Sequence, residues 1–186
     1  MMRLAIVAAV ADNGVIGRAG DLPWRLRTDL RRLRALTVGH TVILGRKTHE
    51  AILRRLGRPL PERRTIVLTR RADYPAEGVE VVHSWEEALA RAADAGEVFV
   101  FGGAEVFALA LPHAHRFYLT RVHAAPEGDA TFPAWDPGAW RVVWAEHHPR
   151  DAENEYDATY LVLERARGPA SPPEGAPGAA GAGGRQ

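Results

Sequence analysis

Short runs dense in β-branched and aromatic residues recur along this chain, and four of the seven gaps between them carry a helical pattern. The runs are LAIVAAV (4–10), TVILG (41–45), TIVLT (65–69), VEVVH (79–83), EVFVFGG (97–103), RFYLTRV (116–122), WRVVWAEHH (140–148) and ATYLVLERA (158–166). Helical periodicity fills 26–37, 46–54, 85–94 and 104–110. Strands that alternate with helices must lie parallel, because each helix carries the chain back to the same end of the sheet. Several of the runs are apolar throughout, as strands covered on both faces should be. The last two have no helix between them and alternate polar with apolar residues, which predicts an antiparallel hairpin at one edge. The expected fold is α/β: one predominantly parallel eight-stranded sheet with an antiparallel C-terminal hairpin edge and flanking helices on both faces.

The 186 residues allow one core, and the expected domain spans 1–166. From Gly168 onward the chain reads GPASPPEGAPGAAGAGGRQ, with no large apolar group to offset the entropy of ordering, so 167–186 is expected to be a disordered tail. No apolar run is long enough to span a bilayer. Zero cysteines exclude disulfides, thiolate metal sites and thiol catalysis, and fit a reducing compartment. The expected location is the cytoplasm. A net charge of +1 provides no field for nucleic acid or anionic membrane, so neither is expected as a partner. Of the 24 basic residues only Lys47 is lysine, a bias that empties arginine clusters of much of their meaning.

One residue breaks its local pattern. In DLPWRLRTDLRRLRAL (21–36), Leu26, Leu30, Leu33 and Leu36 fall within an arc of about 120° on the helical wheel, and Asp29 projects inside that arc. A carboxylate there either marks a helix start, favoured by the dipole, or is buried for a purpose. Ligands in open α/β sheets sit at the C-terminal ends of strands. TVILGRKTHE leads from Gly45 into a helix beginning Arg46, Lys47, Thr48, an arrangement suited to phosphate. EVFVFGGAEVF repeats the design with Gly102 and Gly103, whose missing side chains let backbone approach a ligand. TIVLTRR places Thr69, Arg70 and Arg71 at a third strand end, and together the three favour a dinucleotide with an extra phosphate. The histidines of HAH (113–115) and HH (147–148) have no third ligand at a metal-binding spacing, so no metal is expected.

Seven collinear segments give the chain a resemblance to dihydrofolate reductase across most of 2–165: AIVAAVADNGVIG, DLPWRLRTDL, VILGRKTHE, GRPLPERRTIVLT, VFGGAEVF, FYLTRVHA and EGDATFP. The resemblance implies a monomeric enzyme that uses NADPH to reduce dihydrofolate, supplies one-carbon metabolism and binds antifolates. Asp29 then matches the acid that binds the pterin and assists protonation of N5, with Leu22, Trp24 and Thr120 completing the catalytic set. Thr120 matches the hydroxyl that bonds the acid. Val7, Ala8, Leu30, Leu33, Ile52, Leu60 and Phe101 match the substrate pocket, and Arg63 the partner of the glutamate α-carboxylate.

For the cofactor, Ala9, Ile16, Gly17 and the loop to Leu22 match the nicotinamide pocket and its lid. Gly45, Arg46, Lys47, Thr48, Leu68, Thr69 and Arg70 match the adenosine and phosphate contacts. Phe101, Gly102, Gly103, Ala104, Glu105, Val106 and Phe107 match the pyrophosphate and nicotinamide side, with a cis peptide between the two glycines. Asp129 matches a loop acid that steadies the lid. Leu33, Phe107, His49 and Ala51 depart from residues frequent in the family, and LRRL (53–56) lengthens the connection after Ile52. The alternatives are a riboflavin-pathway pyrimidine reductase of the same fold, and a catalytically silent nucleotide-binding module. Asp29 and Arg63 count against the first, and Asp29, Thr120 and the glycine pair against the second.

Overall fold

Strand β1 (Arg3–Ala11) shows why the chain folds in layers. Its side chains alternate between faces. Leu4, Ile6, Ala8 and Val10 join Trp85, Ala88, Val106, Phe107 and Ala110 in one core cluster. Ala5 packs with Val42, Leu44, Val67 and Phe99 in a second, against which Val7, Leu36, Ile52 and Leu60 lean. A strand sandwiched in this way needs apolar residues at every position. The structure is a computed structural model describing residues 2–166, so the expected tail lies outside the described residues.

After β1 come β2 (Val15–Gly17), α1 (Arg27–Thr37), β3 (Thr41–Gly45), α2 (Arg46–Leu56), β4 (Arg64–Leu68) and β5 (Glu80–Val82). Then follow α3 (Trp85–Arg91), β6 (Glu97–Gly102), α4 (Ala104–Ala110), β7 (Arg116–Val122), β8 (Ala130–Thr131), β9 (Trp140–His148) and β10 (Ala158–Arg165). The main sheet has eight strands in the order β5-β4-β3-β6-β1-β7-β10-β9. Pairings from β5 to β7 are parallel, and the two made by β10 are antiparallel. The expected fold class is the observed one.

The order of connections builds the site. Through α1 and α2 the chain moves outward from β1 to β3 and β4; through α3 and α4 it returns from β5 to β6 and β7. Right-handed crossovers running in opposite directions put the two helix pairs on opposite faces. The two core clusters divide accordingly, with α3 and α4 over one and α1 and α2 over the other. Where the direction reverses, the C-terminal ends of β1, β3 and β6 leave a crevice.

Four local features depart from the sequence reading. Helix α2 runs to Leu56, so LRRL lengthens the helix rather than a loop. It stops at Gly57, whose φ of 71° is the left-handed cap that glycine supplies readily. Helix α3 stops at Arg91, short of 94, because the Ala93 and Ala95 amides turn back to the Ala90 and Ala92 carbonyls. Strands β2 and β8 form a separate antiparallel pair that was not expected. Finally, the N-cap of α1 is Leu26, which has no capping oxygen; buried Asn154 from the β9–β10 loop accepts from the Thr28 amide at 3.1 Å instead.

Candidate active site

A cavity of about 1950 Å³ occupies the crevice. Single small molecules fill pockets of about 300–1000 Å³, so this volume accommodates two ligands side by side. The ends of β1, β3, β4 and β6 form its floor through Val7, Ala9, Gly45, Leu68 and Phe101, while α1 and α2 supply the opposing wall. Of the expected site residues, all but Trp24 and Gly102 line this cavity. Trp24 instead packs with Ala11, Val15, Leu26 and Val122 in a third buried cluster, supporting the wall from behind. The resemblance put Trp24 in the catalytic set; its side chain stands behind the cavity surface.

Asp29 lies in the first turn of α1 and faces the cavity beside Leu30 and Leu33. Leu26 is buried, and Leu36 both packs into the second core cluster and reaches the cavity rim. The two readings of Asp29 are therefore both satisfied: it is an early-turn acid and a pocket acid. The Thr120 hydroxyl of β7 donates to its carboxylate at 2.5 Å. Protein atoms crowd the carboxylate, and burial pushes its pKa above the usual aspartate range, opposed by the Thr120 hydrogen bond and then by the charge of Arg32. The result is an acid whose affinity for a proton is raised by its surroundings and whose direction is fixed by one hydroxyl.

At the α1–α2 end of the cavity, Arg63 donates through Nε to the Pro61 carbonyl at 2.9 Å and through Nη1 to the Thr37 hydroxyl at 3.3 Å. Burial and the neighbouring Arg34 both disfavour its charge, with Glu62 in partial compensation. Such a cation gains from an incoming carboxylate.

The far end of the cavity is cationic. Arg46, Lys47, Thr48, Thr69, Arg70 and Arg71 line it at the ends of β3 and β4. Arg46 pairs with Glu50 one turn on at 3.1 Å, Arg70 with Glu105 at 3.6 Å, and Lys47 has no ion pair among the described residues. The side chain of His83 accompanies them, its Nδ1 donating to the Thr69 carbonyl at 3.0 Å. Between the two ends, Gly45, Gly102 and Gly103 bring β3 and β6 together. A Cβ on Gly45 would lie 3.3 Å from Val106 and 3.7 Å from the Gly102 carbonyl. The Gly102–Gly103 peptide is cis. Gly102 itself is buried beneath the Phe107 ring rather than exposed to the cavity, which is why it supports the site without lining it.

The segment after β2 arches over the cavity. The Asp129 carboxylate accepts from the Ala19 amide at 3.2 Å, and the Asp129 amide donates to the Gly17 carbonyl at 3.1 Å. From the other wall Arg54 donates to the Gly20 carbonyl at 3.0 Å, and Arg55 pairs with Asp21 at 2.5 Å. The last two contacts come from the lengthened turn of α2. Sequence reasoning missed them, along with the cavity-lining side chains of Arg32, Arg58, His83, Tyr118 and Tyr160. Only the unusual length of LRRL signalled any of these. Among the described residues no cluster of histidine or acidic groups is arranged to hold a metal, and no helix is long and apolar enough to cross a membrane.

A doubly wound sheet whose switch point holds a shielded acid near one end of a cavity and clustered cations at the other is built as a nucleotide-dependent oxidoreductase. Comparison with known proteins narrows the class. A family model for dihydrofolate reductase matches residues 3–165. Dihydrofolate reductase type 3 of Salmonella typhimurium is 41% identical over 166 residues, spanning 89% of this chain and 100% of that protein. Dihydrofolate reductase HdrB of Haloferax volcanii is 45% identical over 182 residues, or 94% of this chain and 89% of its own. A solved dihydrofolate reductase from Enterococcus faecalis, complexed with NADP(H) and RAB-propyl, superimposes with a TM-score of 0.83 at 40% identity, covering 89% of this chain and 97% of that one. The chain belongs to the dihydrofolate reductase family.

Proposed function

We propose that this enzyme reduces 7,8-dihydrofolate to 5,6,7,8-tetrahydrofolate with NADPH, and that Asp29 governs the proton delivered at N5. The observation that carries the reading is the Thr120–Asp29 hydrogen bond at 2.5 Å inside a cavity with a cationic far end. NADPH, when bound, supplies the hydride. The chain's own residues align the partners and control the proton. Asp29 hydrogen-bonds the pterin's 2-amino group and N3, Thr120 keeps the carboxylate aimed, and burial favours the protonated form of the acid over that of an exposed aspartate. Leu30, Leu33, Ile52 and Leu60 form apolar walls for the substrate, and Arg63 takes its α-carboxylate.

The cationic end fits a phosphorylated dinucleotide. Arg46, Lys47 and Thr48 open an eleven-residue helix whose free amides favour anions, and Thr69 and Arg70 adjoin them. The glycines at 45 and 103 leave backbone accessible to a pyrophosphate, and Ala9, Ile16, Gly17 and Leu22 enclose the nicotinamide. We further infer that residues 1–166 act as one domain and that the enzyme works as a cytoplasmic monomer open to antifolates. The family match over 3–165 and the near-zero net charge of +1 support this.

The test follows NADPH absorbance with and without dihydrofolate, alongside NADH, in native protein and Asp29→Asn. Turnover should require dihydrofolate, prefer NADPH, and fall by about 10²–10⁴-fold at pH 7 in the variant. Near-native turnover of Asp29→Asn at that pH overturns the role of the acid. Equal use of NADH overturns the placement of the extra phosphate.

A further inference from the structure

Helix α1 carries a second charged group on the cavity side, three residues beyond Asp29. The Arg32 guanidinium carbon lies 3.9 Å from the centre of the Tyr160 ring and 5.0 Å from that of Trp144, and one of its nitrogens is 3.9 Å from Glu146. Strands β9 and β10 thus supply an aromatic shelf that restrains a long side chain otherwise free to drift into solvent. Tyr160 is also the register partner of Thr120, the residue whose hydroxyl holds Asp29. Carboxylate, hydroxyl donor and arginine shelf therefore occupy neighbouring positions on α1, β7 and β10.

We propose that Arg32 is a positioning residue for the proton step: a guanidinium clamped on Tyr160 and Trp144 fixes how readily Asp29 takes up a proton, and with it the pH at which turnover falls. The inference rests on the reading of Asp29 as the proton-governing acid. A cation beside a carboxylate favours the ionised form, and its influence is steady only if its position is. The other polar and charged groups facing this corner are Thr120 from β7, Tyr160 from β10, Glu146 and His148 from β9, and Asp151 from the loop beyond. Tyr160 stays neutral, its phenol pushed up to about 12 by burial first and by Asp29 next. Glu146 is largely exposed, so solvent screens its pull on Arg32. Burial and Arg32 then act on Asp29 in opposite directions, the first raising and the second lowering its affinity for protons. Lysine in place of Arg32 keeps the charge but gives up the planar stack.

The test is the pH profile of single-turnover hydride transfer in native enzyme, Arg32→Gln, Arg32→Lys, Trp144→Leu and Asp29→Asn, with NADPH affinity measured in each to establish folding. Arg32→Gln should move the alkaline limb upward by about 0.5–1 unit, equivalent to about three- to tenfold more rate on that limb. Arg32→Lys should recover most of the shift, and Trp144→Leu should move the limb in the same direction as Arg32→Gln by a smaller amount. A limb that stays within about 0.2 unit in Arg32→Gln, with NADPH binding intact, overturns the proposal. The two readings fail separately. A limb that persists unchanged in Asp29→Asn removes the role of the acid itself, whereas a limb lost in Asp29→Asn but unmoved in Arg32→Gln removes only that of the arginine.

Discussion

Replacing Gly102 with alanine asks the packing behind the cavity to accept one methyl group. The built Cβ would lie 2.4, 2.6 and 2.9 Å from three atoms of the Phe107 ring, all well inside contact distance. The ring has nowhere to go: Phe107 is 4% exposed and packs at 5.1 Å on Phe132, which stacks on Phe117 at 5.4 Å. Overpacking of a tight core costs about 1–3 kcal/mol. The φ of 92° at this position adds about 1–2 kcal/mol for a residue with a Cβ. The sum is a loss of about 2–5 kcal/mol, or about 5–20 °C in Tm for a domain of this size. Scanning calorimetry and urea unfolding measure it directly. Gly102→Ala combined with Phe107→Ala completes a double-mutant cycle, in which the alanine at 102 should harm a protein lacking the ring less, by about 1–3 kcal/mol. A Tm within about 2 °C of native for Gly102→Ala, or a coupling near zero, would refute the steric argument.

Two further outcomes are expected. Arg63→Gln should raise the KM for dihydrofolate by about 10- to 100-fold with kcat little changed, because a charge-assisted contact is worth about 1.5–3 kcal/mol and lies away from the reacting atoms; an unchanged KM would remove Arg63 from substrate binding. Asp29→Asn should unfold at higher temperature than the native protein at pH 8 and not at pH 3. The native acid has a folded pKa above its unfolded one, so its protonated form stabilises the fold at low pH and that contribution is lost as pH rises through the folded value. A variant less stable than native at pH 8 contradicts the raised pKa.

The sheet was readable because doubly covered strands must be apolar at every position, and runs such as TVILG have few other uses. Asp29 was readable for the opposite reason, as a violation of a periodicity that the surrounding leucines make plain. Strands of two and three residues such as β8 and β2 are too short to show any period. The cap on α1 was hidden because Asn154 lies 126 positions from the amide it accepts from. Arg32 was hidden by composition: among so many arginines, nothing local separates one stacked on an aromatic shelf from those in solvent. Motif membership located Trp24 and Gly102 but did not say that each stands behind the cavity surface, since the tertiary neighbours decide that.

The bond between Asp29 and Thr120 joins residues 91 positions apart, and the helix that carries the acid is capped from further still. On a ribosome, α1, α2 and the strands between them emerge long before β7 provides the hydroxyl and before the β9–β10 loop provides the cap. Contacts of such separation carry the closure cost of a long loop and slow the folding of the chains that need them. Ligands that recognise the aligned carboxylate therefore select chains that have finished folding, and their binding reports completion of the C-terminal strands as much as the presence of the pocket.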